Sequence, residues 1–154
     1  MPENNNTQTL PDVTPEAEQI ARTIRAWLNT YPNKPMDMVD VEFLRETSGL
    51  AITTTQAAYK VRRYITGGYQ AQYQFAILYQ TIPQTANERL QADETLNNYA
   101  AWATVMAGAD LPSRMPEGCR YNRLTQNTNA ALLGRDATGS EVHQVQFTLL
   151  YEVN

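Results

Sequence analysis

The segment that most constrains this chain is Tyr69-Gln70-Ala71-Gln72-Tyr73-Gln74-Phe75-Ala76-Ile77-Leu78-Tyr79-Gln80. Tyr69, Ala71, Tyr73, Phe75, Ile77 and Tyr79 share one parity, while Gln70, Gln72, Gln74 and Gln80 share the other. Successive side chains of a strand point to opposite faces. The pattern therefore predicts a strand in a half-buried antiparallel sheet, one face apolar and the other covered by glutamine. Pro83 stops it, having no N–H to donate to a ladder. Upstream, Tyr59, Val61, Arg63 and Ile65 alternate with Lys60, Arg62, Tyr64 and Thr66. Gly67-Gly68 lies between the two runs, and both positions tolerate positive φ, so a two-residue turn and a β-hairpin over 59–82 are expected.

Other segments extend the sheet. Val39, Val41 and Phe43 alternate with Asp40, Glu42 and Leu44, and 50–55 is a short β-branched run. Residues 119–127 and 130–133 read as extended, and 134–140 as a turn. In the last strand Val145, Phe147, Leu149, Tyr151 and Val153 face inward. Two stretches switch to helical spacing. Thr14-Pro15-Glu16 reads as a helix start, with a hydroxyl cap and an acid in the first turn. Ala17, Ile20, Ala21, Ile24, Trp27 and Leu28 follow as one stripe, ended near Tyr31-Pro32. Thr85 and Glu88 have capping-box spacing before a stripe of Ala86, Leu90, Leu96, Tyr99, Ala100, Ala103 and Met106. Gly108 is the expected C-cap, 109–118 a loop, and Arg89 and Asp93 an i,i+4 pair on the helix's outer face. The expected fold class is α+β: a single domain, mostly antiparallel sheet, with two main helices packed on one face. Residues 1–13, rich in Asn, Thr and Pro, are expected to form a flexible N-terminal arm before a domain spanning 14–154.

A chain of 154 residues suits one domain and buries enough surface to need no staples. Only 18% of it is charged, below the usual ~25%, so much of the polar surface is neutral and suited to contact with neighbouring subunits. A net charge of −4 argues against a grip on nucleic acid, which draws on clustered Lys and Arg. No apolar run reaches the ~18 residues a membrane span needs, and the N-terminus has neither the basic nor the apolar region of a secretion signal. A protein made in the cytoplasm and soluble there is expected.

Candidate chemistry is sparse. One His and one Cys, His143 and Cys119, cannot supply the three or four ligands zinc takes. The two lie on neighbouring predicted strands, so a Cys–His nucleophile pair is conceivable, but His143 is in the inward register and a lone Cys is usually a small buried hydrophobe. No enzyme activity and no cofactor are expected. Asp37, Asp40 and Glu42 lie close together, with Asp40 and Glu42 on one strand face, where a solvated surface is the ordinary reading. Gly67-Gly68 and the Gly134/Gly139 pair lack phosphate-loop spacing and read as turns. Lys60, Arg62 and Arg63 beside the Tyr/Gln strand could form a platform for single-stranded nucleic acid. Tyr73, Phe75 and Ile77 are needed against the helices, which weighs against that use.

In order along the chain, Ile20-Ala21-Arg22-Thr23-Ile24-Arg25-Ala26-Trp27-Leu28, Val41-Glu42-Phe43-Leu44, Arg63-Tyr64-Ile65-Thr66-Gly67-Gly68, Gln74-Phe75-Ala76-Ile77, Asn98-Tyr99-Ala100-Ala101-Trp102 and Val145-Gln146-Phe147-Thr148-Leu149-Leu150-Tyr151 resemble one family. It is the minor capsid, or tail-terminator, proteins of long-tailed bacteriophages, especially those of Gram-positive hosts. The resemblance implies a structural virion protein, assembled in the host cytoplasm and found in the tail or neck. Such a protein forms a homo-oligomeric ring, generally of six, that caps the tail tube. Its implied partners are the tail-tube protein and a head-tail connector or stopper, with DNA passing through the ring without specific binding. A connector or stopper of the neck is the alternative within the same class. A closed ring needs a heterologous contact between different patches of adjacent subunits, and sheet edges are natural donors. Arg62, Arg63, Tyr64, Arg135 and Asp136 are the candidate subunit-interface residues. Arg62, Arg63 and Arg135 would pair with Asp40, Glu42 or Asp136 across subunits. Asp40 and Glu42 are also a candidate acidic lumen face that would repel passing DNA.

Overall fold

The computed structural model describes residues 12–40 and 49–154. The elements run α1 (Ala17–Leu28), β1 (Met38–Asp40), β2 (Gly49–Arg63), β3 (Tyr69–Thr81), α2 (Ala86–Asp110), β4 (Cys119–Gln126), β5 (Ala131–Arg135) and β6 (Glu141–Val153). The strand order across the sheet is β1-β2-β3-β6-β4, with β5 also pairing β6. All pairings are antiparallel except β1 on β2. This is the expected α+β domain, mostly antiparallel, with both helices packed against one face of the sheet.

The alternating strands fold as their parity dictates. Ala71, Tyr73, Phe75 and Ile77 of β3 lie buried beside Val145, Phe147, Leu149 and Tyr151 of β6, with Phe75 opposite Phe147 and their rings 5.3 Å apart. From above, α1 contributes Ile20, Ile24, Trp27 and Leu28, and α2 contributes Leu96, Tyr99, Ala100, Ala103 and Ala107. Each large apolar side chain removed from water contributes about 1.5–3 kcal/mol. Trp27 stacks on Trp102 with centroids 5.2 Å apart, joining the two helices. The opposite face carries the glutamines, with a small buried patch of Ala51, Ala76 and Leu78.

Several local expectations give way to tertiary contacts. Thr14 does not cap α1 with its hydroxyl, since α1 starts at Ala17 and has no side-chain cap. Its N–H instead pairs with the Ala58 carbonyl, and its Oγ1 lies 3.2 Å from the Tyr151 hydroxyl. The Lys60 N–H likewise donates to the Asp12 carbonyl. Residues 12 and 13, assigned to the arm, thus line the β2 edge, while 1–11 fall outside the described residues. The runs 50–55 and 59–66 form one strand, β2, interrupted by register shifts against β3. The turn after it is a loop of five residues, 64–68, closed by Tyr64 N–H to the Gly68 carbonyl at 2.8 Å. Only Gly67 uses positive φ. Gly68 is required for a different reason: a Cβ there would stand 2.5 Å from the Val153 carbonyl oxygen.

Thr85 caps α2 as expected, accepting from the Glu88 N–H at 3.2 Å. Gly108, however, is interior. The helix continues to Asp110, and the N–H of buried Leu111 still reaches the Ala107 carbonyl. Burying Leu111 outweighs the modest penalty of a glycine in a helix. Leu90, placed in the buried stripe by spacing, is exposed. Gly134 and Arg135, expected in a turn, belong to β5. The turn itself is tightened by Asp136, whose carboxylate accepts from the N–H groups of Thr138 and Ser140.

Candidate functional site: the open β5 edge and its charged anchor

β4 and β5 follow one another along the same side of β6. Cys119–Gln126 pairs with its C-terminal half and Ala131–Arg135 with its N-terminal end. Together they form one interrupted edge strand. All five residues of β5 are exposed. Edge strands leave a row of backbone N–H and C=O groups available to another chain. Here Leu132 and Leu133 are 44% and 55% exposed. The pairing slips by one residue between Leu132 and Gly134, so Leu133 is the extra residue of a bulge. The flank of α2 lies alongside, its Asn97 Oδ1 accepting from the Ala130 N–H at 2.9 Å. On the exposed side of α2, Leu90 and Val105 are 67% and 76% exposed.

A buried ionic cluster anchors this edge. Glu141, at the start of β6, has no solvent exposure. Its carboxylate receives the Nε of Arg89 from α2 at 2.8 Å and the Nε of Arg135 from β5 at 2.8 Å. The His143 Nε2 is 3.2 Å from the same carboxylate, and His143 Nδ1 is 2.7 Å from Asp93 of α2. Burial pushes the Glu141 carboxyl upward, but hydrogen bonds from Arg89, Arg135 and His143 outweigh it and hold the group below its ordinary value. Arg89 and Asp93 therefore do not pair on an outer face. Their turn of α2 faces the sheet because Glu141 and His143 lie beneath it.

The expected interface residues are dispersed. Arg135 and Asp136 lie at the β5–β6 turn, the first on Glu141 and the second closing the turn. The Asp136 carboxyl is held below its usual value chiefly by the Thr138 hydroxyl, with Ser140, Thr138 and Gly139 N–H groups adding to it. Arg62, Arg63 and Tyr64 sit at the other end of the sheet. Arg63 and Lys60 both pair with Asp12, and the Tyr64 hydroxyl donates to Glu152 at 3.1 Å, where Arg120 also pairs. Burial and the Glu152 carboxylate both push the Tyr64 phenol upward. Arg62 is exposed, opposite Gln70 in register. Glu42 lies outside the described residues, and for Asp40 only its strand pairing with Ile52 is described, so the acidic lumen face is not placed.

Cys119 and His143 do not form a nucleophile pair. Cys119 is opposite Val153, ten residues along β6 from His143, or about 33 Å at ~3.3 Å per residue. Burial, with Glu16 nearby, pushes the Cys119 thiol up to about 11. Tyr73, Phe75 and Ile77 lie buried beneath the helices, so they offer no stacking platform. Among the described residues, no group of three or more His, Cys, Asp and Glu could hold a metal ion. No described helix is long and apolar enough to cross a membrane.

No family model matches the chain, and no curated protein matches it either. Sequence reading could have marked Leu132-Leu133 as an apolar pair in a short segment between two turns, but not its place at the sheet edge. Glu141 also shares the inward parity of Val145 and Phe147, which marks it as a charge directed at the core.

Proposed function

We infer that this chain is a structural subunit that self-associates into a ring, the tail terminator of a tailed-phage particle. The sequence resemblance supplies the biological setting, and the exposed β5 edge is the observation that supports assembly. Leu132 and Leu133 are apolar side chains left in water on an edge strand, and Leu90 and Val105 are further exposed apolar side chains on α2. Covering them with a neighbouring subunit would both satisfy the backbone and remove apolar area. In a ring the contact is heterologous, so the β4–β5 side of one subunit meets a different patch on the next. The opposite flank of the sheet, where β1 and residues 12–14 line β2, is the complementary patch. The ring would stop growth of the tube, present a surface to the connector and let DNA pass without turnover of any substrate.

Sedimentation velocity and native mass measurement on the full chain, with particles imaged by negative stain, test this reading. A closed ring, six-fold by the resemblance, is expected. Leu132→Lys with Leu133→Lys should reduce it to monomers of unchanged circular dichroism. A chain that stays monomeric at high micromolar concentration, or a ring indifferent to the double substitution, overturns the assignment of the edge.

A further inference from the structure

His143 is the sole histidine of the chain, and its side chain is almost wholly buried with both ring nitrogens facing carboxylates. A neutral imidazole has one donor and one acceptor nitrogen, whereas an ionised carboxylate only accepts. With Asp93 and Glu141 both ionised, a neutral ring would turn a lone pair either on fully buried Glu141 or on Asp93, whose side chain is 33% exposed, and at a ring that is itself buried an unmatched polar contact is costly. Only when both nitrogens carry protons are both contacts favourable. The 2.7 Å separation from Asp93 has the length of a charge-assisted bond.

We propose that His143 is a proton-loaded bridge, an imidazolium that ties α2 through Asp93 to β6 and the β5 edge through Glu141. The other groups around it fit this role. From α2, Arg89 reaches Glu141, and from β5, Arg135 does the same, so Glu141 keeps its charge while facing the ring. Tyr79 of β3 and Leu132 of β5 are its cross-strand neighbours. Both arginines are about half exposed, so solvent screens their repulsion of the ring, while the two carboxylates touch it directly. Removing either carboxylate leaves one ring nitrogen without its acceptor, and the N-terminal half of α2 and the β5 edge are then less firmly tied to β6.

Ring-nitrogen shifts of the full chain, labelled with nitrogen-15 in histidine, test this directly, since only one residue contributes. Two protonated ring nitrogens with slowly exchanging protons are expected in the folded native chain, and a ring with one protonated nitrogen in Asp93→Asn under the same conditions. A neutral ring of one tautomer in the native chain overturns the proposal, and so does a doubly protonated ring in the variant. If Asp93→Asn does not fold, the spectra of the native chain decide alone.

Discussion

The indole Nε1 of Trp27 donates to Asp110 Oδ2 at 3.1 Å, joining the last turn of α1 to the last residue of α2 across 83 positions of sequence. Trp27 is fully buried and stacked on Trp102, so one side chain fills the gap between helices and fixes where both end. Trp27→Phe removes the hydrogen bond and part of the packed volume. A loss of about 1–3 kcal/mol is expected in urea unfolding followed by circular dichroism. A midpoint equal to that of the native chain would show that the indole contributes nothing beyond its area.

Glu141 is the carboxylate on which two arginines and a histidine converge. Glu141→Ala leaves those cations without their shared partner and should cost about 3–5 kcal/mol, as when one partner of a buried pair is removed. The pH dependence follows from the direction of its shift. The folded state holds the carboxyl below its ordinary 4.5, so its stabilising contribution is present above that pH. It is lost as pH falls through the lower folded value. Thermal unfolding of the native chain should therefore weaken below about pH 4.5 more steeply than that of the variant.

Gly68 and Gly108 should respond oppositely to alanine. At Gly68 the new Cβ meets the Val153 carbonyl, a backbone atom that cannot move aside alone, and Gly68→Ala should destabilise by about 1–3 kcal/mol. At Gly108 the Cβ meets nothing within 4 Å, and the residue is inside a helix. Gly108→Ala should stabilise by about 0.5–1 kcal/mol. Melting temperatures of the two variants compare these outcomes directly, and a common sign would contradict the placement of one of them.

Cys119 should be a sluggish nucleophile. With its thiol pushed up from 9.0 to about 11 by burial and by Glu16, the thiolate fraction near neutrality falls about a hundredfold. Alkylation by iodoacetamide should be roughly ten- to a hundredfold slower than for a free thiol, and rapid after denaturation. Equal rates in the folded and unfolded chain would place Cys119 in solvent.

Arg63→Glu sets the hairpin tip against Asp12, its partner in the fold. Because that pair is exposed, stability should change by less than about 1 kcal/mol. Ring assembly should weaken, because Asp12 belongs to the flank proposed to receive the β5 edge; sedimentation of the variant checks this, and an unchanged ring would remove Arg63 from the contact.

Parity and period were enough to read the inward faces of β3 and β6, the buried stripe of α1 and the cap of α2, because each depends on residues close in sequence. The α+β class followed from those elements. What the sequence alone left open are the places where distant segments meet. Thr14 left its expected cap because Ala58 and Tyr151 offered its backbone and hydroxyl better partners. Helix α2 ran past Gly108 because the core had room for Leu111. Arg89 and Asp93 satisfy the spacing of a helix pair equally well on either face, and only the buried Glu141 and His143 beneath them decided which. Likewise, Leu132 and Leu133 are apolar in any conformation, but only the packing order of the strands left them at an edge. Local pattern determines which side of an element is apolar, since that depends on backbone geometry alone. Which polar groups share a buried space depends on desolvation and on partners brought together by folding, and that was decided by the tertiary structure.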